Sequence, residues 1–253
     1  DLVDVATDLY THFEHSDARL AWPVMGQPDI KTRFSLEVTH PRGWTVMSNT
    51  RPQVGGSSPQ APTGTDRGCE TTSFAASRPL PSYLTALAAG PWHRVTGQWT
   101  SPSRRGLTIP LSWSCRASLA EHLDAAELLD LTRAGLDLYD RAYAYGFPWD
   151  SYDSVLVPEY NLGAMENPGC ITFNENYISR STPTFSERQR RANTTLHEMC
   201  HMWFGDLATP SWWDDLWLKE SFAENQGASA IATATRYVGE WANFAMNRKH
   251  WAY

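Results

Sequence analysis

Four cysteines in 253 residues, Cys69, Cys115, Cys170 and Cys200, leave little scope for covalent staples. No two of them form a C-x-x-C pair, and their spacing is not that of a metal-binding cluster. They read as buried thiols rather than a disulfide framework, which points to a reducing compartment, the cytoplasm. Long apolar runs are missing too. The longest mild stretch, Pro79 to Trp92, is 14 residues long and carries Pro79, Pro81, Gly90 and Pro91 near its ends, too short and broken to span a bilayer. Positive charge is scarce, with 21 Lys and Arg against 28 Asp and Glu and a net charge of −7. That balance argues against nucleic acid and against anionic membrane surfaces as partners. The chain opens at Asp1 with no initiator Met and no charged-then-apolar leader, and so reads as the interior of a longer protein. What is abundant is tryptophan, with 12 residues, which implies large apolar anchors and an aromatic-lined cleft. With 42% hydrophobic and 19% charged residues, the chain has the profile of a soluble globular protein able to bury a sizeable core.

Residues 1–116 and 117–253 read differently, and together they give an α+β chain. In the first part apolar residues alternate in short runs. Phe34, Leu36 and Val38 stand at period two, followed by Trp44, Val46 and a turn at Ser48-Asn49. Strand-like pieces are expected at 71–74, 83–88, 95–99 and 107–114, with a long Gly/Pro/Ser loop over 51–68. From about Ala117 the period becomes helical, with Leu119, Leu123, Ala126, Leu129, Leu136 and Tyr139 on one stripe. Short strands are expected at 155–157 and 171–173. A second helix is expected with a capping box of Ser186 and Gln189 and a stop at Gly205, and a third from about Asp215. Asp214 and Asp215 read either as caps of that third helix or as supports for a metal-bound histidine.

The chemistry is carried by His197-Glu198-Met199-Cys200-His201, an H-E-x-x-H motif. On a helix, residues i and i+4 share a face, so two imidazoles can bind one Zn²⁺ while the intervening Glu reaches a metal-bound water. The bland alternative is a surface helix with solvated His and Glu side chains. Leu196, Met199, Met202, Trp203 and Phe204 make the helix apolar nearly all round, and buried polar groups need partners. Cys200 lies off the metal-facing line and reads as a small core residue. A catalytic zinc site takes three protein ligands and one open position. Glu220, on the next helix after the Thr209-Pro210-Ser211 turn, is the candidate third ligand, and Glu224 is its rival.

His197 and His201, 18 intervening residues and then Glu220 within Trp217–Ala223 resemble the pattern of the aminopeptidase N family of gluzincin zinc metallopeptidases, in particular its actinobacterial, cytoplasmic group. Gly163-Ala164-Met165-Glu166-Asn167 matches that family's G-A-M-E-N motif without substitution. Val157–Asn161, Ile171–Phe173 and Met202–Asp206 agree with the family as well, as do Tyr10–Glu14 and Gln27–Lys31 in the first part. The resemblance implies the C-terminal portion of an N-terminal β domain (1–116), then the first portion of a thermolysin-like, mainly helical catalytic domain (117–253). It implies one Zn²⁺ per chain held by His197, His201 and Glu220, with Glu198 as general base and later proton donor. Glu166 and Glu14 would hold the α-amine of a peptide substrate. Gly163 and Ala164 would align its backbone beside Met165 and Asn167, and His12 would line the first-residue pocket. The implied activity is release of N-terminal amino acids from peptides; the sequence leaves the oligomeric state open, with a monomer favoured. Two rivals on the same scaffold are an epoxide-opening hydrolase and a non-catalytic peptide binder.

The chain departs from the family pattern at three places. His12 replaces the usual Gln, Met25-Gly26 the usual Phe-Asp, and Lys219 the usual Asn before the third ligand. Lys219 lies about 100° around the helix from Glu220 and is expected to point outward, with little influence on zinc. The family's transition-state tyrosine stands in a motif that this sequence does not contain; neither Tyr237 nor Tyr253 occupies one. The isolated piece is therefore expected to be weak or inactive.

Overall fold

The computed structural model describes residues 7–53 and 68–248. The alternating apolar residues of the first part form short antiparallel strands. β1 (Leu9–Tyr10) precedes a single helical turn, α1 (Ala18–Ala21), and is followed by β2 (Glu37–Pro41), β3 (Thr45–Ser48), β4 (Cys69–Ser73) and β5 (Leu87–Gly90). β5 is the centre of a three-stranded sheet between β1 and β3, and β2 pairs with β4 in a ribbon. The expected strand over 83–88 is instead a 3₁₀ turn at Ser82–Leu84, followed by the strand that begins at Leu87. Pro81 fixes the φ that starts that turn. The expected 51–68 loop lies mostly outside the described residues.

The second part is built on a mixed five-stranded sheet. It contains β6 (Trp92–Thr100), β7 (Thr108–Arg116), β8 (Tyr152–Val157), β9 (Ala164–Met165) and β10 (Ile171–Asn174), in the order β6-β7-β8-β10-β9. β7, β8 and β10 run parallel, while β6 and β9 are antiparallel edges. Leu111 pairs with Tyr152 and Ser114 with Val155, so the ladder continues across the 116/117 boundary drawn from periodicity. The hydrogen bonding divides the chain near Gly90-Trp92 instead. Apolar alternation says that a segment is a strand, but not which sheet it joins.

Helices α2 (Ala125–Ala142), α3 (Phe185–His201), α4 (Leu216–Ala234) and α5 (Glu240–Asn247) complete the fold. Leu128, Leu136, Leu196, Met199, Ala223 and Ile231 join Trp113, Leu156 and Phe173 of the sheet in one buried cluster. The capping box of α3 is made by Thr184 and Glu187, two residues before the expected Ser186 and Gln189. Thr184 follows Pro183 in extended conformation; its Oγ1 accepts from Glu187 N at 3.2 Å, and the Glu187 carboxylate accepts from Thr184 N at 2.7 Å. α3 stops at His201 rather than Gly205, and the turn that follows brings Phe204 O to the His201 ring. Asp215 precedes α4 but makes no side-chain cap bond. No helix of the described residues is long and apolar enough to cross a membrane.

Candidate metal centre

His197 and His201 lie one turn apart on α3 and face α4 across a close helix–helix contact. Their Nε2 atoms are 3.1 Å apart. Glu220 Oε2, from the first turns of α4, is 3.4 Å from His197 Nε2 and 3.6 Å from His201 Nε2. A tetrahedral zinc with bonds of 2.0–2.1 Å sets its ligand atoms about 3.3–3.4 Å apart, so this triangle fits the ion. The outer partners fit as well. His201 Nδ1 donates to Phe204 O at 2.9 Å, which fixes the proton there and leaves the Nε2 lone pair free. His197 Nδ1 faces Glu224 Oε2 at 3.4 Å, so Glu224 stands behind the ring while Glu220 stands before it. Burial works against a charge on His197, yet Glu220 and Glu224 outweigh it and push the ring up to about 10. The cluster is built to hold positive charge.

Glu198 is buried beside the pair, and its carboxyl, Glu166 and His201 bring ligand-type atoms within 4.8 Å of one another. Burial, reinforced by the charges of Glu166 and Glu220, raises the Glu198 pKa well above the carboxylate range, against the pull of His197. Burial that disfavours the charged carboxylate favours uptake of a proton, the property a general base needs.

The cleft over these groups encloses about 500 Å³ and includes Glu14, Gly163, Ala164 and Glu166 in its lining. Met165, Asn167 and His12 are not among its lining residues. β9 explains the first: successive strand residues point to opposite faces, so Ala164 faces the cleft and Met165 enters the core with Met47 and Tyr83. Asn167 is buried in the turn that Cys170 N closes at 3.0 Å, and His12 Nδ1 sits 3.2 Å from the Tyr160 hydroxyl. Sequence reasoning missed Tyr177, Arg190, Asn193 and Thr194, which also line the cleft. The α3 members were legible, since 190, 193, 194, 197 and 201 share one helix face.

The largest correction concerns Lys219. Its side chain is 1% exposed rather than outward. Nζ is 2.7 Å from Glu14 Oε1, hydrogen-bonds Glu166 Oε1, and stands 3.2 Å from Glu220 Oε1. The physical reason is the buried stripe of α4: Lys219, Ala223, Gly227 and Ile231 recur at four-residue spacing. The 100° that separates Lys219 from Glu220 turns it into the protein. Burial would lower its pKa, but Glu166, Tyr83 and Glu14 outweigh that and hold the ammonium charged. Lys219 and His201 likewise overcome burial to keep Glu166 below its ordinary value, whereas burial and the Glu166 charge raise Glu14.

Two family models match the chain: the Peptidase M1 N-terminal domain over residues 6–84 and the Peptidase family M1 domain over residues 127–252. Aminopeptidase N of Streptomyces lividans is 43% identical over 255 aligned residues, which cover all of this chain and 28% of that protein. Aminopeptidase N of Oryctolagus cuniculus is 31% identical over 216 residues, and glutamyl aminopeptidase of Rattus norvegicus 30% over 217; each alignment covers 84% of this chain and 21% of the relative. The chain thus spans less than a third of the length of these relatives. Both halves match one family in the order of its domains, and the chain belongs to peptidase family M1.

Proposed function

We propose that this chain carries the metal and amine-binding centre of a zinc-dependent aminopeptidase, which releases N-terminal residues from peptides. The observation that carries the reading is the convergence of His197 Nε2, His201 Nε2 and Glu220 Oε2, with Glu166 and Glu14 in the same cleft. A zinc ion held by His197, His201 and Glu220 would polarise the scissile carbonyl and make water a stronger nucleophile. Glu198 takes the proton from the attacking water and passes it to the departing amine. Glu166 and Glu14 hold the substrate's α-ammonium, and a site that requires that free ammonium restricts cleavage to the peptide's N-terminus. Gly163 lies on the cleft wall, where a Cβ would stand 3.2 Å from the Tyr177 hydroxyl, and its bare backbone leaves room for an extended peptide. The free thiols, three of them buried, favour a cytoplasmic protein.

The test is made on the full-length protein. Wild type should hold about one zinc per chain and cleave an amino-acid anilide but not its N-acetyl form. Glu198→Gln should retain the metal and lose about 10²–10⁴ in kcat. Retained turnover in that variant would refute Glu198 as the base, and cleavage of the acetylated substrate at an equal rate would refute the exopeptidase reading.

A further inference from the structure

Glu14, Glu166 and Glu220 come from three separate stretches of chain: the turn after β1, the end of β9 and helix α4. Their carboxylates offer oxygens within 4.8 Å of one another, close enough for like charges to drive them apart. Lys219 stands among them. Its ammonium has three N–H bonds and meets one oxygen of each acid: Glu14 Oε1 at 2.7 Å, Glu220 Oε1 at 3.2 Å and Glu166 Oε1 in a hydrogen bond. The Tyr83 ring supports the cation, with its centroid 5.1 Å from Nζ. Each carboxylate therefore spends Oε1 on the lysine. For Glu220 the consequence is visible, since its Oε2 is the atom turned to the two histidines. Three acids and one lysine leave two formal negative charges, so the seat still attracts a further cation.

We propose that Lys219 is a positioning residue for recognition of the substrate's α-amine: it pins Glu14, Glu166 and Glu220 by one oxygen each, so that their second oxygens are aimed at the amine and the metal. This rests on the reading of the cleft as an amine-binding metallopeptidase site. An uncharged residue at 219 loses the common anchor, and the three acids then move independently. Amine recognition suffers first, because Glu14 and Glu166, unlike Glu220, would not be held in place by a metal.

The experiment compares two inhibitors on full-length protein: leucine hydroxamate and 4-methylpentanohydroxamate, which is identical but lacks the α-amine. The ratio of their inhibition constants reads amine recognition alone, and zinc content is measured alongside. Wild type should favour the amine-bearing compound. Lys219→Met should reduce that preference about tenfold or more, the scale of one charge-assisted hydrogen bond, while affinity for the des-amino compound stays within about threefold and zinc is retained. Lys219→Arg should restore most of the preference. An unchanged ratio in Lys219→Met would overturn the proposal and leave the reading of the cleft standing. Loss of zinc and of both affinities together, in Met and Arg variants alike, would overturn it in favour of a purely structural lysine. A zinc-loaded wild type with no preference for the amine would remove the amine-anchor reading itself, and the proposal with it.

Discussion

Gly227 sets the distance between the two helices that meet at the proposed metal centre. A Cβ added there would stand 3.3 Å from His197 N and 3.4 Å from both His197 Cα and Asn193 O, tighter than ordinary packing and against backbone that cannot rotate away. Glycine in a helix costs about 1 kcal/mol relative to alanine, so its presence here is accounted for by the close approach of the α3 backbone at Asn193 and His197. Gly227→Ala regains that propensity and forces α3 and α4 apart by a few tenths of an ångström. The two effects offset each other, so the thermal midpoint of the metal-free protein should hardly move. Glu220 is seven residues away on α4, about 10 Å along the axis, and it shares the displacement. A zinc site tolerates about 0.2 Å in its ligand distances, so affinity should fall about 10-fold for Gly227→Ala. Gly227→Leu cannot be absorbed without a larger parting; it should destabilise by about 1–3 kcal/mol and cost about 100-fold or more in zinc affinity. Chelator competition gives the affinity and thermal unfolding in excess chelator gives the stability. Zinc binding by Gly227→Leu within about threefold of wild type would refute the reasoning, as would an Ala variant whose stability falls in step with its affinity.

Two further outcomes follow from the scaffold. Gly169 has φ +75°, and a Cβ there would lie 2.6 Å from Asn49 O, at the joint where Asn49 Nδ2 donates to Leu84 O (2.8 Å) and Pro168 O (2.9 Å). Gly169→Ala should destabilise by about 2–4 kcal/mol, and a thermal midpoint within about 1 °C of wild type would show that the joint yields freely. Glu127 accepts from Arg191 at 2.8 Å and Arg236 at 2.7 Å, and also from Arg188 and Tyr237. Burial pushes its carboxyl up, but the bonds with Asp124 and Tyr237 and the charges of Arg191 and Arg188 outweigh it and pull the pKa from 4.5 to about 2. A depressed carboxylate stabilises the fold fully above its unfolded pKa, and that contribution is lost as pH falls from about 4.5 through about 2. With Arg236 exposed and screened, its worth is about 1–2 kcal/mol. Glu127→Gln should therefore lower the midpoint at pH 7 and match wild type at pH 2; an equal deficit at both would mean that packing, not charge, is lost.

What could be read before the fold was known depended on how local the cause was. The i, i+4 histidines and the apolar positions of α3 follow from helix geometry inside one segment, and the structure places that segment as a core helix. Strand membership was less legible, because β7 alternates as any strand would and only the pairing of Leu111 with Tyr152 reveals its sheet. Lys219 shows where residue-by-residue reading fails. A lysine placed by its angle to Glu220 alone points away; placed by the row Lys219, Ala223, Gly227, Ile231, it points in. The row was visible, but a buried ammonium is credible only with acids to receive it. Glu14 lies 205 residues from Lys219 in the chain and Glu166 53 residues, so nothing local announced them. The acid cluster around Lys219 is thus a tertiary object. Its three acids can be named one at a time from motifs, but the cation that holds them together is identifiable only once their distances are known.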